Sequence, residues 1–378
     1  MDLKNISKKY KTWLEIDVKN IEHNFKSFKS LLKPETKFMA VVKSNAYGHG
    51  MTEFSKEMQR LGADFLAVDD AGEALELRAE NIKLPILIFG YVEEDLLEEV
   101  IKKDITVTVS NFSMLERIVA LKNLNPKIHI KVDTGLGRQG FIEKDKEKVA
   151  EIILNENLSL DGLYTHYSIA ENPERLDYTK KQTDEFKAWV KFLRGKNINL
   201  RLLHTSAASA CILSEEFHFD MVRIGIGLFG HWGSRGLRDW GKEKINLKQT
   251  ATWKTALVEV KEKPKGCFIG YNLRNCLERD SIIGILPIGY WHGLTGLASD
   301  SGEVLVNGRR VPILGRVSMD MTIVDLTDAG EVKEGDEVVI VGRQGEEEIS
   351  TDEVKYRFDL INYEFLTRIN AKIPRIYK

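Results

Sequence analysis

Cysteine is scarce in this chain. Its 378 residues hold three, Cys211, Cys267 and Cys276, too few and too scattered for a disulfide framework or a zinc knuckle. Free thiols in a reducing compartment fit that usage. An excess of positive charge is also lacking: 55 Lys and Arg against 57 Asp and Glu leave a net charge of −2. No basic field is available to hold nucleic acid through its phosphates. No apolar run reaches membrane-spanning length, and the opening MDLKNISKKYKTW has no apolar core of a signal peptide. A soluble, cytoplasmic protein that binds neither nucleic acid nor membrane is expected. H-E-x-x-H, C-x-x-C and the EF-hand loop are absent, so no metal site is expected. G-x-S-x-G is absent too, and with it any visible nucleophile elbow. There is no internal repeat and no low-complexity tract.

What is present is an alternation. From about Lys37 to Phe229, short β-branched or apolar runs are followed by amphipathic segments. Eight runs qualify as strands: KFMAVVK, DFLAVD, PILIFG, ITVTVS, KIHIKVD, LSLDGLYTH, RLLHTS and MVRIGIGLF. Between them, Met51, Phe54, Met58 and Leu61 fit one face of a helix, as do Phe186, Trp189, Val190 and Leu193. Strands alternating with helices imply a parallel sheet covered by helices. Eight of them suggest closure into a (β/α)₈ TIM-type barrel, with ligands at the C-terminal strand ends. A doubly wound open sheet is the other arrangement to weigh. After about Leu247 the helical period disappears until the last thirty or so residues. Strand-like runs take over (TALVEV, SIIGILPIGY, EVLV, RRVPILG, MTIVDL, EVVIVG), and Asn307-Gly308 between two of them signals a hairpin. Two domains are expected, a barrel over 1–246 and a mainly β domain over 247–378, linked through GHWGSRGLRDWGKEKINLK.

Several residues stand where barrels keep their chemistry. Lys43 ends the first barrel run, in VVKSNAYGHG. A lysine there either pairs with a carboxylate or, desolvated, forms a Schiff base. Tyr47, Gly48 and Gly50 follow at once; glycines before a helix let amides approach an anion, and a tyrosine hydroxyl adds a donor. GLGRQG (135–140) and GIGLFG (225–230) both match G-x-G-x-x-G. Neither leads straight into a helix, as a dinucleotide fingerprint requires, although GIGLFG can still offer amides to a phosphate. Lys131 and Arg138 flank the fifth strand's end, where an arginine is either a surface residue or a carboxylate clamp. His166 ends the sixth strand, in place for acid–base work or for stacking on a ring. Arg223, between Val222 and Ile224, reads as a buried cation that requires a partner.

These segments resemble the bacterial alanine racemases, a family of fold type III pyridoxal-phosphate enzymes. AVVKSNAYGHG is similar to the family's cofactor motif. TWLEIDVKNIEHN, KVDTGLGRQGF, the strand-six histidine, MVRIGIGLFG, IGYNLRN, LPIGY, GRVSMDM and the terminal IPRIY follow in the family's order over about 360 residues. The resemblance implies a barrel plus a β-rich domain, a homodimer, and interconversion of L- and D-alanine by two bases, supplying D-alanine for peptidoglycan. It implies that Lys43 holds pyridoxal 5'-phosphate and is one base, and that Tyr271, reaching in from a partner subunit, is the other. Tyr47, Ser209 and the amides of Gly225 and Ile226 would hold the phosphate. Arg223 would sit at the pyridine nitrogen and His166 beside the ring. Arg138 and the backbone at Met319 would receive the substrate carboxylate. Lys131 would be carbamylated and orient Arg138, while Tyr290 and Asp320 would line the entrance.

The chain departs from the family pattern at three places. HTSAASAC has Ala208 at the usual serine spacing and Ser209 one later, so Ser206 is a second candidate for the phosphate. GYADG appears as GYWHG, with Trp291 and His292. Ala371 stands where several relatives place a tyrosine that touches the phosphate and shapes the pocket, which would loosen the preference for alanine. The alternatives are a serine or broader-specificity racemase of the same family, or a fold type III decarboxylase. The decarboxylases' terminal cysteine motif is missing here. A cofactor-carrier protein would lack the second domain, and a nicotinamide oxidoreductase would need both glycine motifs to be real.

Overall fold

The computed structural model describes residues 9–378 except Arg274 and Ile361. Its described residues form two compact units, one of 19–46 and 51–249, the other of the chain through Val18, 47–50 and 250–378. The sequence reading had placed the division at 246/247.

The first strand, β1 (Thr12–Ile16), pairs antiparallel with β10 (Ala251–Ala256) and parallel with the C-terminal strand (Arg375–Tyr377). Eight parallel strands then build the barrel unit: β2 (Lys37–Val41), β3 (Phe65–Val68), β4 (Ile86–Ile88), β5 (Thr106–Val109), β6 (Ile128–Lys131), β7 (Leu160–Tyr164), β8 (Leu200–His204) and β9 (Met221–Ile224). Seven fall inside the expected runs, and β8 starts one residue before its run, at Leu200. Most of their residues are apolar or β-branched because parallel strands are covered on both faces, with polar exceptions such as His129, Lys131, His204 and Arg223. The ladder runs from β8 through β7 back to β2 and on to β9. Between β9 and β8 the barrel closes just past the end of β8, where the amide of Arg223 in β9 donates to the Ser206 carbonyl at 2.9 Å.

Each gap between strands carries a helix: α1 (Val18–Lys29), α2 (Met51–Leu61), α3 (Ala71–Ala79), α4 (Glu94–Lys102), α5 (Phe112–Ala120), α6 (Lys146–Asn155), α7 (Leu176–Gly195) and α8 (Ala208–Leu213). Their apolar stripes face the sheet. Met51, Phe54 and Met58 of α2 are buried, as are Phe186, Trp189, Val190 and Leu193 of α7. No helix of the described residues is long and apolar enough to cross a membrane.

The second unit is mainly β. Its ten-stranded sheet includes β1, β10 and β11 (Glu259–Lys263). A separate hairpin joins β12 (Phe268–Ile269) to β13 (Asn275–Cys276). Further along, β15 (Glu303–Val306) and β16 (Arg309–Leu314) pair antiparallel across Asn307 and Gly308, at φ 49° and 72°. That is the hairpin the sequence signalled; β14 (Ser281–Leu286) lies in the same sheet.

Gly48 shows how tightly this unit is built. It holds φ +88°, and a Cβ added there would lie 2.1 Å from the Leu366 carbonyl oxygen. Gly48→Ala is therefore expected to cost at least about 2 kcal/mol of stability by denaturant unfolding. A variant within about 0.5 kcal/mol of the parent would show that the backbone yields there.

Candidate active site

Lys43 lies two residues beyond β2 in the barrel unit, and its Nζ is 2.8 Å from Asp69 Oδ1 just beyond β3. Lys43 therefore has a carboxylate partner. Both side chains are partly exposed, so the pair adds little stability and leaves the amine accessible. The four residues that follow, Ser44 to Tyr47, all hold φ between 50° and 56°. A left-handed run of non-glycine residues costs about 1–2 kcal/mol each, so it needs support. Glu73 of α3 supplies it: its carboxylate accepts from the amides of Ser44 (2.5 Å), Asn45 (3.4 Å) and Asp69 (2.9 Å). The Asn45 side chain in turn accepts from the Met51 amide at 2.9 Å, starting α2. Burial raises the Glu73 carboxyl above its ordinary pKa, against the pull of those amides.

Arg223 is the hub of the barrel's mouth. It is 3% exposed. Its Nη1 donates to His204 Nδ1 at 2.9 Å. Its Nη2 reaches three acceptors with two hydrogens: the carbonyls of Thr165 (2.9 Å) and Thr205 (2.8 Å), and His166 Nδ1 at the longer 3.2 Å, which shares one of them. Among the described residues, no carboxylate is a hydrogen-bond or charge partner of Arg223. Burial lowers its pKa to about 10, so it is a cation at neutral pH. Burial, followed by the Arg223 charge, pushes His166 and His129 each down to about 3; His204 is driven down for the same reasons. These imidazoles are neutral at physiological pH.

The GLGRQG loop is no dinucleotide fingerprint. Asp133 gathers it: Oδ1 accepts from the amides of Gly135, Leu136 and Gly137, and Oδ2 from Arg138. The next α-helix begins only at Lys146. Arg138 is left exposed. Lys131, 4% exposed, donates to Gln139 Oε1 at 3.2 Å and lies over the Tyr164 ring. Burial, helped by the charges of Arg138 and Arg223, lowers its amine to about 8.

GIGLFG is also no fingerprint. It forms a single 3-10 turn over Ile226–Phe229, whose first amides have no acceptor within the turn. The two candidate serines differ. Ser206 is fully buried and its hydroxyl donates to the Phe217 carbonyl at 2.6 Å. Ser209 is half-buried near the start of α8, its Oγ against Gly233. Only Ser209 has a hydroxyl not committed to the Phe217 carbonyl.

In the second unit, Tyr271 sits at the tip of the β12–β13 hairpin and is 66% exposed; Arg274 of the same motif lies outside the described residues. Tyr290, Met319 and Asp320 are exposed as well. GYWHG and GRVSMDM are laced together: the Tyr290 amide donates to the Ser318 carbonyl and the Trp291 amide to the Met319 carbonyl, both at 3.0 Å. The Tyr47 ring lies 6.0 Å from that of Tyr363.

A family model for the alanine racemase N-terminal domain matches residues 16–232, and one for the C-terminal domain matches 250–377. The chain belongs to the alanine racemase family. It is 38% identical over 371 residues to alanine racemase 1 of Caldanaerobacter subterraneus subsp. tengcongensis, covering 97% of this chain and 94% of that one. Its fold matches that of alanine racemase from Clostridium difficile 630 with a TM-score of 0.92 at 31% identity, over 98% and 96% of the two chains. A Bartonella henselae alanine racemase with covalently bound pyridoxal phosphate matches with a TM-score of 0.86 at 26% identity, over 98% and 100%.

Within the alanine racemase pattern, one expected departure is corrected. Ala371 is exposed at the surface, and the tyrosine beside Tyr47 is Tyr363. The sequence reading also missed Glu73, His129 and His204. Glu73 had a local signal: Asp70 caps α3 by accepting the Glu73 amide, the spacing of a capping box. The two histidines had none beyond their place in strands.

The buried neutral imidazoles make stability pH-dependent. His129 titrates near 6.5 when unfolded and at about 3 when folded. Below about pH 6.5 the unfolded chain binds a proton that the native state refuses, so stability falls as pH falls. By about pH 5 this single group is worth about 2 kcal/mol. Urea unfolding at pH 7 and pH 5 is expected to show a drop that is smaller by about that amount in His129→Asn.

Proposed function

We propose that this chain is a pyridoxal-phosphate-dependent isomerase that interconverts L-alanine and D-alanine with two bases. The observation that carries the reading is Arg223, a buried guanidinium at the strand ends solvated by imidazoles and carbonyls and by no carboxylate. The residues suit the cofactor. Lys43 offers an accessible amine. Ser209 and the amides at Gly225 and Ile226 offer donors to a phosphate, and Tyr47 adds a hydroxyl. Arg223 keeps its Nε–H outside the four contacts it makes, free for an acceptor such as a ring nitrogen.

When bound, the cofactor supplies an electron sink that acidifies the α-proton of an attached amino acid. Lys43 Nζ would hold it and exchange that proton on one face. The Tyr271 hydroxyl, brought by a second copy of the chain in a homodimer, would exchange it on the other. A lysine and a tyrosine differ in type, so each can be protonated while the other is not. Neutral His166 accepts from Arg223 at Nδ1, so its proton sits on Nε2, where it can donate to the tyrosine oxygen and make it a better base. Arg223 keeps its charge at neutral pH and thereby disfavours a proton on the ring nitrogen; that weakens the sink and suppresses side reactions.

Arg138 and the Met319 amide would receive the substrate carboxylate, with Tyr290 and Asp320 at the entrance. Lys131, with its amine lowered to about 8, has the neutral fraction that carbamylation needs, and the carbamate would orient Arg138. The barrel, 1–246, would hold the cofactor, and 247–378 would supply the second base. D-alanine made in the cytoplasm would feed peptidoglycan. The departure that argued for a broader substrate range, Ala371, falls on an exposed residue, so alanine is the substrate we propose.

Lys43→Ala is expected to lose the visible absorbance of the lysine-held cofactor and at least about 10²–10⁴-fold in racemisation. Tyr271→Phe is expected to slow loss of α-deuterium from L-alanine by about 10²-fold and to slow it less from D-alanine. Equal slowing of both enantiomers would make Tyr271 structural.

A further inference from the structure

Barrel interiors are filled mainly by branched apolar side chains. Here, part of the lumen is polar. His129 of β6 and His204 of β8 are 1% and 0% exposed, and Arg223 of β9 lies beside them. His129 Nδ1 is 2.8 Å from His204 Nε2, and His204 Nδ1 is 2.9 Å from Arg223 Nη1. Tyr164 of β7 stacks on His204 with ring centroids 4.7 Å apart and planes 6° apart. The Tyr164 hydroxyl is tied to Thr108 at 2.9 Å.

This chain of contacts has a direction. A guanidinium can only donate, so His204 Nδ1 must accept. The proton of neutral His204 then sits on Nε2 and is donated to His129 Nδ1. His129 reaches across β7 because residue 162 is glycine: a Cβ there would lie 2.6 Å from His129 Nδ1. Three polar groups buried without a carboxylate would be a costly filling for a core. Their alignment along a single donor path suits a task.

We infer that His129 and His204 are positioning residues, a one-way imidazole pair that fixes the Arg223 guanidinium against the ring-nitrogen end of the cofactor site while adding no negative charge there. The inference rests on the function proposed above and extends it to two residues that touch neither cofactor nor substrate. A carboxylate at either position would also orient Arg223, but it would cancel the charge. Two neutral imidazoles orient it and leave the charge intact.

The test compares His129→Leu with His129→Asn in the holoenzyme, reconstituted with cofactor labelled with ¹⁵N at the ring nitrogen. Asparagine Oδ1 can accept from His204 Nε2–H; leucine cannot. His129→Leu is expected to shift the ring-nitrogen resonance toward the protonated form and to lower kcat by about tenfold, the order that one lost buried hydrogen bond carries, with KM little changed. His129→Asn is expected to restore the native resonance and most of kcat. A leucine variant that binds cofactor with an unmoved resonance and native kcat would overturn the inference, as would leucine and asparagine variants that behave alike. Should the leucine variant not fold, imidazole ¹⁵N spectra of the native protein decide: a bare Nδ1 on His204 is expected, and a protonated one would overturn the relay. A native protein that takes up no labelled cofactor would instead overturn the functional reading, and this inference with it.

Discussion

The barrel's mouth is organised around one buried cation. Arg223 is stripped of water, and a bare charge in a protein interior is expensive. The usual remedy is a carboxylate. Here the remedy is a set of neutral acceptors, two strand-end carbonyls and two imidazoles. Each acceptor is constrained in return. His166 and His204 must present a bare Nδ1, which fixes their tautomers, and His204 must pass its proton toward His129. None of these contacts cancels the Arg223 charge. That charge also reaches Lys131, whose amine is lowered first by burial and then by its cationic neighbours.

A second constraint acts on Lys43. It is followed by four consecutive left-handed residues, Ser44 to Tyr47; of these only asparagine visits that region with any frequency, and then singly, so propensity would not select the run. Glu73 makes the turn tolerable by collecting three amides on one carboxylate. Strain of this kind persists where surrounding contacts over-determine it, and it clusters at functional sites. The segment after the lysine is thus held by specific hydrogen bonds.

The eight barrel strands were legible because doubly covered parallel strands leave continuous apolar runs, and Asn307-Gly308 announced its hairpin through turn chemistry. Lys43, His166 and Arg223 were legible as polar residues at strand ends, where barrels work. What stayed hidden depends on neighbours distant in the chain. His129 and His204 lie 75 residues apart and meet only through the sheet; each alone looks like a core histidine. The left-handed turn depends on Glu73, 26 or more residues further on. Family spacing pointed to Ala371, while packing puts Tyr363 beside Tyr47. That β1 pairs with β10 and with the C-terminal strand was likewise outside the reach of local pattern.

The most direct test of the account is proton NMR of the purified protein with pyridoxal 5'-phosphate and a panel of L-amino acids in deuterated water. The account predicts loss of the α-proton signal of L-alanine ahead of every other amino acid, with D-alanine accumulating until the enantiomers are equal. Cofactor binding without α-proton exchange in alanine would contradict it, and faster exchange in serine or a longer amino acid would contradict the choice of substrate.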